Sequence, residues 1–368
     1  MRVLVWHWGR RGAGPRYAVE LAAALRAQPD TEAVLSLSAQ AEILGTGDAG
    51  PLVLPYRTYD GVLSLLARLP LAFAEVTPLA DRLRGLALDG AVCAMPAYLD
   101  PLMTAALRRA GPAKSGIPWA VVVHDADPHP GDQSPLKMVM QRRMMSRAAA
   151  VVCLTGHVAD RLRAQRLAGV PGRPPIIRST PPPLAFCDHP PPPGPRAGRP
   201  LRLLSFGRLL PYKGLDMLSE ALAKLGPRDD LLCRVVGTGP ETPVVAALRA
   251  RAGVTVENRW VPETEVAHLL AWADAVVLSH REASQSGVAA AGLAAGRWVI
   301  ATDVGGLREQ IGHERLARLC PPTADGLAGA ITALLADASD PPPAPDPHAA
   351  WSEAAGDLVE KLGAAFRR

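Results

Sequence analysis

A repeated order of short apolar strand, glycine-rich or polar turn, and amphipathic helix runs through both halves of this chain. It restricts the fold more than any other feature. The first half reads "RVLVWHW" then "AVELAAALRAQ", followed by "AVVVHD" and "AAVVCL". The second reads "LRLLSFGR" then "GLDMLSEALAKLG", "LLCRVVGTGP" then "TPVVAALRARAG", "DAVVLSH" and "WVIATDVGG". Strands that alternate with helices build parallel sheets, since a parallel neighbour requires a crossover long enough to hold a helix. Continuous apolar strands are expected where helices cover both sheet faces. Between the halves, "PPPLAFCDHPPPPGPRAGRP" from Pro181 to Pro200 is too rich in proline for a helix or a central strand and favours an extended, semi-rigid connection. The expected fold class is therefore α/β, with two doubly wound parallel-sheet domains (1–180 and 201–340) joined by a linker (181–200), a cleft between them, and ligands at the carboxyl ends of strands. A second proline run, Pro341 to Pro347, precedes residues 348–368, whose Trp351, Ala354, Leu358, Leu362 and Phe366 fit one helical face. That terminal helix is expected to pack back on the first domain.

At 368 residues, 48% apolar and 20% charged, the chain has enough material for two cores. Apolar stretches such as "VLSLLARLPLAFA" from Val62 are broken by Arg68 and Pro70 well short of the roughly 20 residues that span a bilayer. The amino terminus reads as a first buried strand rather than a signal peptide, so a cytoplasmic protein is expected. Cys93, Cys153, Cys187, Cys233 and Cys320 show no paired spacing, which argues against a disulfide framework or a zinc site. Charge is uneven: Met1 to Arg178 holds 21 Lys+Arg against 14 Asp+Glu, leaving 19 against 21 of the totals of 40 and 35. Within that half, Lys137 to Arg178 carries nine basic residues against Asp160 alone. This is either a solvated helix face or a surface for an anionic partner.

The richest stretch chemically is "LLSFGRLLPYKGLDMLSEAL". Its strand ends at Gly207, Arg208 follows in the turn, and Lys213 and Gly214 stand where the next helix begins. A guanidinium, an ammonium and free helix-start amides at one strand end make an anion site suited to phosphate. In "VVGTGPE", Gly237 and Gly239 read either as turn glycines or as points of close approach to a ligand. Trp260 either packs or walls a base pocket. The strand from Ala275 delivers Glu282 and "ASQSG" to the same edge, where the Ser284 and Ser286 hydroxyls and the amides of Ser286, Gly287 and Val288 form a second anion-binding corner. Next comes a helix of small residues, "VAAAGLAAG", able to lie close to its sheet, and then "WVIATDVGG", whose Gly305 and Gly306 can bring bare backbone to a ligand.

The ordered motifs "GRLLPYKGLDML", "VVGTGP", "NRWVPETEVAHLLAWADAVVLSHREASQSGV" and "GRWVIATDVGGLREQI", over about Leu201 to Ile311, resemble retaining glycosyltransferases of the GT-B fold, family 4, in an "EASQSG" variant. The resemblance implies two Rossmann-like domains and metal-independent transfer of a sugar from a nucleotide-diphosphate sugar to an acceptor hydroxyl, as in polysaccharide biosynthesis. By the same resemblance, Arg208 and Lys213 hold the donor diphosphate, Ser286 to Val288 assist from the opposite helix, and Glu282 contacts donor-sugar hydroxyls. The second glutamate of the family signature, which grips the ribose, is absent: Ala290 or Ala291 stands in its place.

In the first half, "AVVVHDADPHPGD" ends a buried strand with His124, which in this family faces the donor sugar, and with Asp125, placed to orient its ring. His129 is a weaker candidate. "HWGRRGAGPRYAVELAAAL" sets Gly12 and Gly14 between the first strand and helix, in a loop that in similar enzymes closes on donor phosphate and acceptor. It is not a dinucleotide fingerprint, because the third glycine and the later acid are missing. The resemblance implies no cofactor beyond the donor substrate, no nucleic acid, and a glycan, lipid-linked saccharide or small-molecule acceptor. The Met-rich basic stretch from Lys137 to Arg147 is either core plus solvated face or a peripheral contact with anionic lipid at the inner membrane face. Two alternatives stand beside transfer. One is a GT-B sugar-nucleotide epimerase, told apart by donor turnover without acceptor; the other is a non-catalytic GT-B partner subunit, told apart by failure to bind nucleotide.

Overall fold

The computed structural model describes residues 1–50, 54–112, 115–131, 135–186, 198–337 and 341–368. Cys187 and most of the proline-rich linker lie outside the described residues. The first half forms β1 (Arg2–His7), α1 (Ala13–Arg26), β2 (Glu32–Leu37), α2 (Val62–Gly85), β3 (Gly90–Cys93), α3 (Asp100–Ala110), β4 (Trp119–Val123), α4 (Pro135–Met145), β5 (Ala150–Cys153), α5 (Gly156–Ala164) and β6 (Ile176–Arg178). The second forms β7 (Leu201–Phe206), α6 (Leu215–Leu225), β8 (Leu231–Gly237), α7 (Pro243–Arg249), β9 (Val254–Asn258), α8 (Glu263–Trp272), β10 (Ala275–Leu278), α9 (Gly287–Ala294), β11 (Trp298–Thr302), α10 (Leu307–Ile311), β12 (Ala317–Cys320), α11 (Ala324–Ala336) and α12 (Pro347–Phe366).

Each half builds a parallel six-stranded sheet, ordered β2-β1-β3-β4-β5-β6 and β12-β11-β10-β7-β8-β9. The expected α/β class with two Rossmann-like parallel sheets is what the chain adopts. In both sheets the order reverses beside the first strand, between β1 and β3 and between β7 and β10. Loops leaving the carboxyl ends there diverge to opposite faces and open a crevice for a ligand. Burial on both faces explains the apolar strands: Ala120 to Val123 and Val299 to Ala301 are wholly inaccessible.

Contacts divide the chain into two compact units. The first comprises Met1–Asp127, Ser134–Thr180 and His348–Arg368, the second Pro128–Gln133 and Pro181–Pro347. A boundary at 180 therefore misassigns one short piece, because the His129 ring stacks on Tyr212 of the second unit with centroids 4.4 Å apart. The terminal helix α12 belongs to the first unit. Trp351, Leu358 and Leu362 are buried, with Ala355 rather than Ala354 completing the stripe. Trp351 packs against Tyr17 at 5.3 Å, and Gln28 Nε2 donates to the Ser352 carbonyl at 3.0 Å.

In α4, Met144 and Met145 join the core while Arg142 and Arg143 are exposed, together with Leu136 and Val139. Among the described residues no helix is long and apolar enough to cross a membrane, and no three His, Cys, Asp or Glu side chains gather as metal ligands. The four described cysteines are free and buried.

The first unit buries titratable groups of opposite tendency. Burial pulls the His7 imidazole down to about 4 and also lowers His124. Burial pushes Asp100, which accepts from Trp6 Nε1 at 3.1 Å and Ala97 N at 2.7 Å, up to about 7. A depressed histidine refuses a proton that the unfolded chain takes below about 6.5, so its contribution to stability is lost as pH falls through that window. Asp100 does the reverse: it holds a proton that the unfolded chain has released, and favours folding towards acid. Asp100→Asn removes the counterweight. Relative to the parent it is expected to lose about 2 kcal/mol of stability between pH 7 and pH 5, read from denaturant unfolding at each pH. Parallel pH profiles would show that Asp100 is ionised in the fold.

Candidate active site

The site of the second unit is built at the β7/β10 switch point. β7 ends at Phe206, and Gly207 turns with φ 118° while its amide donates to the Val236 carbonyl at 3.0 Å. The loop continues alongside the β8 loop, with Leu209 N donating to Thr238 O at 2.8 Å. This pairing explains the glycines of "VVGTGP". A Cβ on Gly237 would stand 1.6 Å from the Gly207 carbonyl oxygen, and one on Gly239 2.4 Å from that of Leu209. What fills the Cβ side of Gly237 is the protein's own backbone.

After a turn of 3-10 helix at Pro211–Lys213, Gly214 takes φ 63° and starts α6. Three bonds stitch this turn to the end of β10. Ser279 Oγ donates to Lys213 O at 2.8 Å, Arg281 N donates to Tyr212 O at 2.8 Å, and Arg281 Nη2 pairs with Asp216. Gly214 lies so close that a Cβ would meet Ser279 O at 2.0 Å.

Tyr212 is the centre of the cluster. Arg208 Nη2 donates to its hydroxyl at 3.0 Å, and the Lys213 ammonium lies 5.2 Å from its ring centroid, within cation–π range. Lys213 Nζ donates to His280 Nε2 at 2.8 Å. Burial, with the Lys213 and His129 charges adding to it, holds the His280 imidazole well below its ordinary range, so the ring is neutral and accepts. His129, stacked on Tyr212, donates from Nδ1 to Glu282 Oε1 at 2.9 Å, leaving the carboxylate half-exposed.

The opposite wall is the start of α9. Gly207 faces Val288, with Val288 Cγ2 lying 3.9 Å from where a Gly207 Cβ would be, and Phe206, Arg208, Lys213, His280 and Val288 line one pocket. Ser286 caps the helix, its buried Oγ accepting from Ala289 N at 3.3 Å. Its amide, expected to bind anion, instead donates to Gln310 Oε1 at 2.8 Å, while Gln310 Nε2 donates back to Ser286 O at 3.0 Å. The helix-start donors left for an anion are therefore those of Gly287 and Val288. Ser284 is buried beside them. Gly305 and Gly306 likewise serve the fold: Gly306 N donates to Ala283 O at 2.9 Å, holding the loop that carries Glu282. Ala290 and Ala291, which stand where the family signature has its ribose-gripping glutamate, are 3% and 1% exposed, and the Ala290 carbonyl accepts from Leu184 N at 3.2 Å. A carboxylate at either position would lose its water.

Gln310→Leu leaves the Ser286 amide and carbonyl without their side-chain partner. It is expected to cost about 1–3 kcal/mol by denaturant titration. A loss below about 0.5 kcal/mol, the range of neutral surface changes, would mean that water replaces the glutamine.

Trp260 is partly buried just beyond β9, two strands from β7, where Arg259 N donates to Gly237 O at 2.9 Å. His124, Gly12 and Gly14 are in the first unit. His124 Nε2 donates to Ala94 O at 2.9 Å, and its ring meets Tyr17 edge-on at 5.0 Å. Gly12 caps α1 at φ 80° in open space. Gly14 leaves room for His7, whose Nε2 would lie 2.5 Å from a Cβ there and whose Nδ1 donates to Met95 O at 2.8 Å. Tyr212, His280, His7 and Gln310 do not stand out in the sequence. An aromatic between Arg208 and Lys213, and a histidine two residues before Glu282, were the available signals.

Residues 200–337 match the family model described as Glycosyl transferases group 1. Over 126 residues the chain is 36% identical to the D-inositol 3-phosphate glycosyltransferase of Jonesia denitrificans, a match spanning 31% of this chain and 30% of that protein. Solved structures resemble the whole chain. HepE of Anabaena in complex with UDP and glucose aligns with TM-score 0.69 at 18% identity, covering 99% of this chain and 100% of that one. Sucrose-phosphate synthase from Thermosynechococcus elongatus aligns with TM-score 0.61 at 17% identity, covering 99% and 94%. UDP-GlcNAc 2-epimerase from Neisseria meningitidis, bound to UDP-GlcNAc, aligns with TM-score 0.56 at 12% identity, covering 98% and 99%. At these identities the likeness is one of fold, and that fold is GT-B.

Proposed function

We propose that the protein is a retaining glycosyltransferase that moves a sugar from a nucleotide-diphosphate sugar to an acceptor hydroxyl without a metal ion. The observation that carries this reading is one pocket at the switch point of a single sheet lined by Arg208, Lys213 and Val288 at the start of α9, with Glu282 joined to the same cluster through His129 on Tyr212, all but His129 inside the segment that matches the group 1 model. The guanidinium, the ammonium and the helix start neutralise the charge that develops on the departing diphosphate. Glu282, with its carboxylate half-exposed, accepts hydrogen bonds from donor-sugar hydroxyls. The acceptor hydroxyl attacks from the face the diphosphate leaves, and a leaving phosphate oxygen takes its proton. Most of the rate then comes from electrostatic preorganisation and positioning.

The acceptor classes are a glycan, a lipid-linked saccharide or a small molecule. The exposed Arg142 and Arg143 beside Leu136 and Val139 support peripheral contact with anionic lipid. The epimerases of similar fold favour one competing reading, conversion of a sugar nucleotide without acceptor. The test is incubation with a panel of UDP-, GDP-, ADP- and dTDP-sugars, with and without candidate acceptors, followed by mass analysis. A glycosylated product supports transfer, an isomerised donor supports the epimerase, and absence of both together with no thermal shift by any nucleotide supports a non-catalytic subunit.

A further inference from the structure

We infer that His280 is a positioning residue for the anion pocket, its Nε2 holding the Lys213 ammonium at the place from which that ammonium meets a phosphate. The inference rests on reading the pocket as a diphosphate site.

His280 is 4% exposed and fixed at the end of β10 from several sides. Thr302 Oγ1 donates to its carbonyl at 2.6 Å, and its ring lies edge-on to Tyr212 at 6.1 Å. Lys213 is a flexible side chain on a turn only three residues long, and that turn is tied through backbone and Ser279 to the same strand end. The bond at 2.8 Å from Lys213 Nζ to His280 Nε2 adds what the backbone does not supply, a directional restraint on the ammonium, beside its cation–π contact with Tyr212. Accepting at Nε2 places the ring proton on Nδ1, which is buried and has no hydrogen-bond partner. An apolar residue of similar size would avoid that orphaned donor. The chain instead carries an imidazole against the ammonium of the pocket lining. Buried polar groups that lower stability are expected where the site gains from them, and a side chain locked by a second layer of contacts is the usual gain. A neutral acceptor is well suited here, because it directs the ammonium without cancelling its charge, as a carboxylate would.

The test uses the full-length protein and two readouts. In protein labelled with ¹⁵N-histidine, the His280 signals, assigned among nine histidines by their loss in His280→Gln, are expected to show the Nδ1–H tautomer and to move in Lys213→Met. Calorimetry with UDP, GDP, ADP, dTDP and inorganic pyrophosphate gives the second. His280→Leu is expected to weaken the preferred diphosphate about tenfold, the size of one directed charge contact. His280→Gln, with an amide oxygen at the reach of Nε2, recovers most of the affinity. In a Lys213→Met background, His280→Leu adds less than about twofold, since a residue acting through Lys213 has nothing left to act on.

An equal loss from His280→Leu in both backgrounds, or a folded His280→Gln no better than His280→Leu, overturns the inference. If Lys213→Met abolishes binding while His280→Leu leaves it intact, this inference alone fails. If Lys213→Met leaves every probe bound as before, the diphosphate reading fails, and the positioning role falls with it.

Discussion

Lys213→Ala and Glu282→Ala are each expected to lower sugar transfer by about 100- to 1000-fold, the loss seen when one preorganised electrostatic contact to a developing charge is removed. The two should differ in which parameter moves. On the proposed reading Lys213 faces the diphosphate in ground and transition states alike, and more strongly as charge develops, so its removal is expected to weaken nucleoside diphosphate binding as well as kcat. Glu282 is expected to contact only the sugar. Its removal should leave affinity for the free nucleoside diphosphate near that of the parent while kcat/KM for the nucleotide sugar collapses. The Glu282 side chain is half-exposed and its carboxylate accepts from His129, an exposed pair of small energetic weight, so thermal stability should move little in that variant. Near-parental turnover in both variants, measured with the donor that the panel identifies, would end the glycosyltransferase assignment.

The second large effect is structural. Gly237→Ala is expected to lower stability by more than about 3 kcal/mol, or to prevent folding, because the added methyl would meet the Gly207 carbonyl at 1.6 Å. Neither side can give way easily. The Gly207 amide is bonded to Val236 O, and Leu209 N to Thr238 O, so the two loops are paired on both sides of the contact. Gly47→Ala makes a useful control. Gly47 also has a positive φ, of 83°, but nothing lies within 4 Å of its Cβ position, so only the backbone penalty of about 1 kcal/mol is expected. A Gly237→Ala protein that unfolds within about 1 kcal/mol of the parent would show that the loops separate without loss, and that this glycine answers to a ligand after all.

The parallel αβ order was legible because strand and helix periodicity are local properties, and because a βαβ crossover leaves little topological choice. The switch-point site was legible for a related reason. Arg208, Lys213 and Glu282 all lie in the loops that leave the ends of β7 and β10, and all strands of a parallel sheet point their carboxyl ends the same way. What the sequence left ambiguous was the partner of each group. Gly237, Gly305 and the Ser286 amide look identical in sequence whether they face a ligand or another loop, and the fold turned all three inward. Gln310 is 24 residues from Ser286, and His129 is 153 residues from Glu282; no local pattern records either pair. The α12 stripe announced a helix with something to bury, but only the packed chain set it on Tyr17 and Gln28.

The sequence by itself thus determined two parallel sheets, the strand ends at which chemistry gathers, and the cations and carboxylate available there, since these follow from periodicity and from residue type at a strand end. Only the tertiary structure decided which donors remain for a ligand once the loops have satisfied one another, and that Lys213 is held by a buried His280. Hydrogen-bond pairing between distant loops is settled by three-dimensional proximity, and a buried group's charge state by the surroundings that close over it.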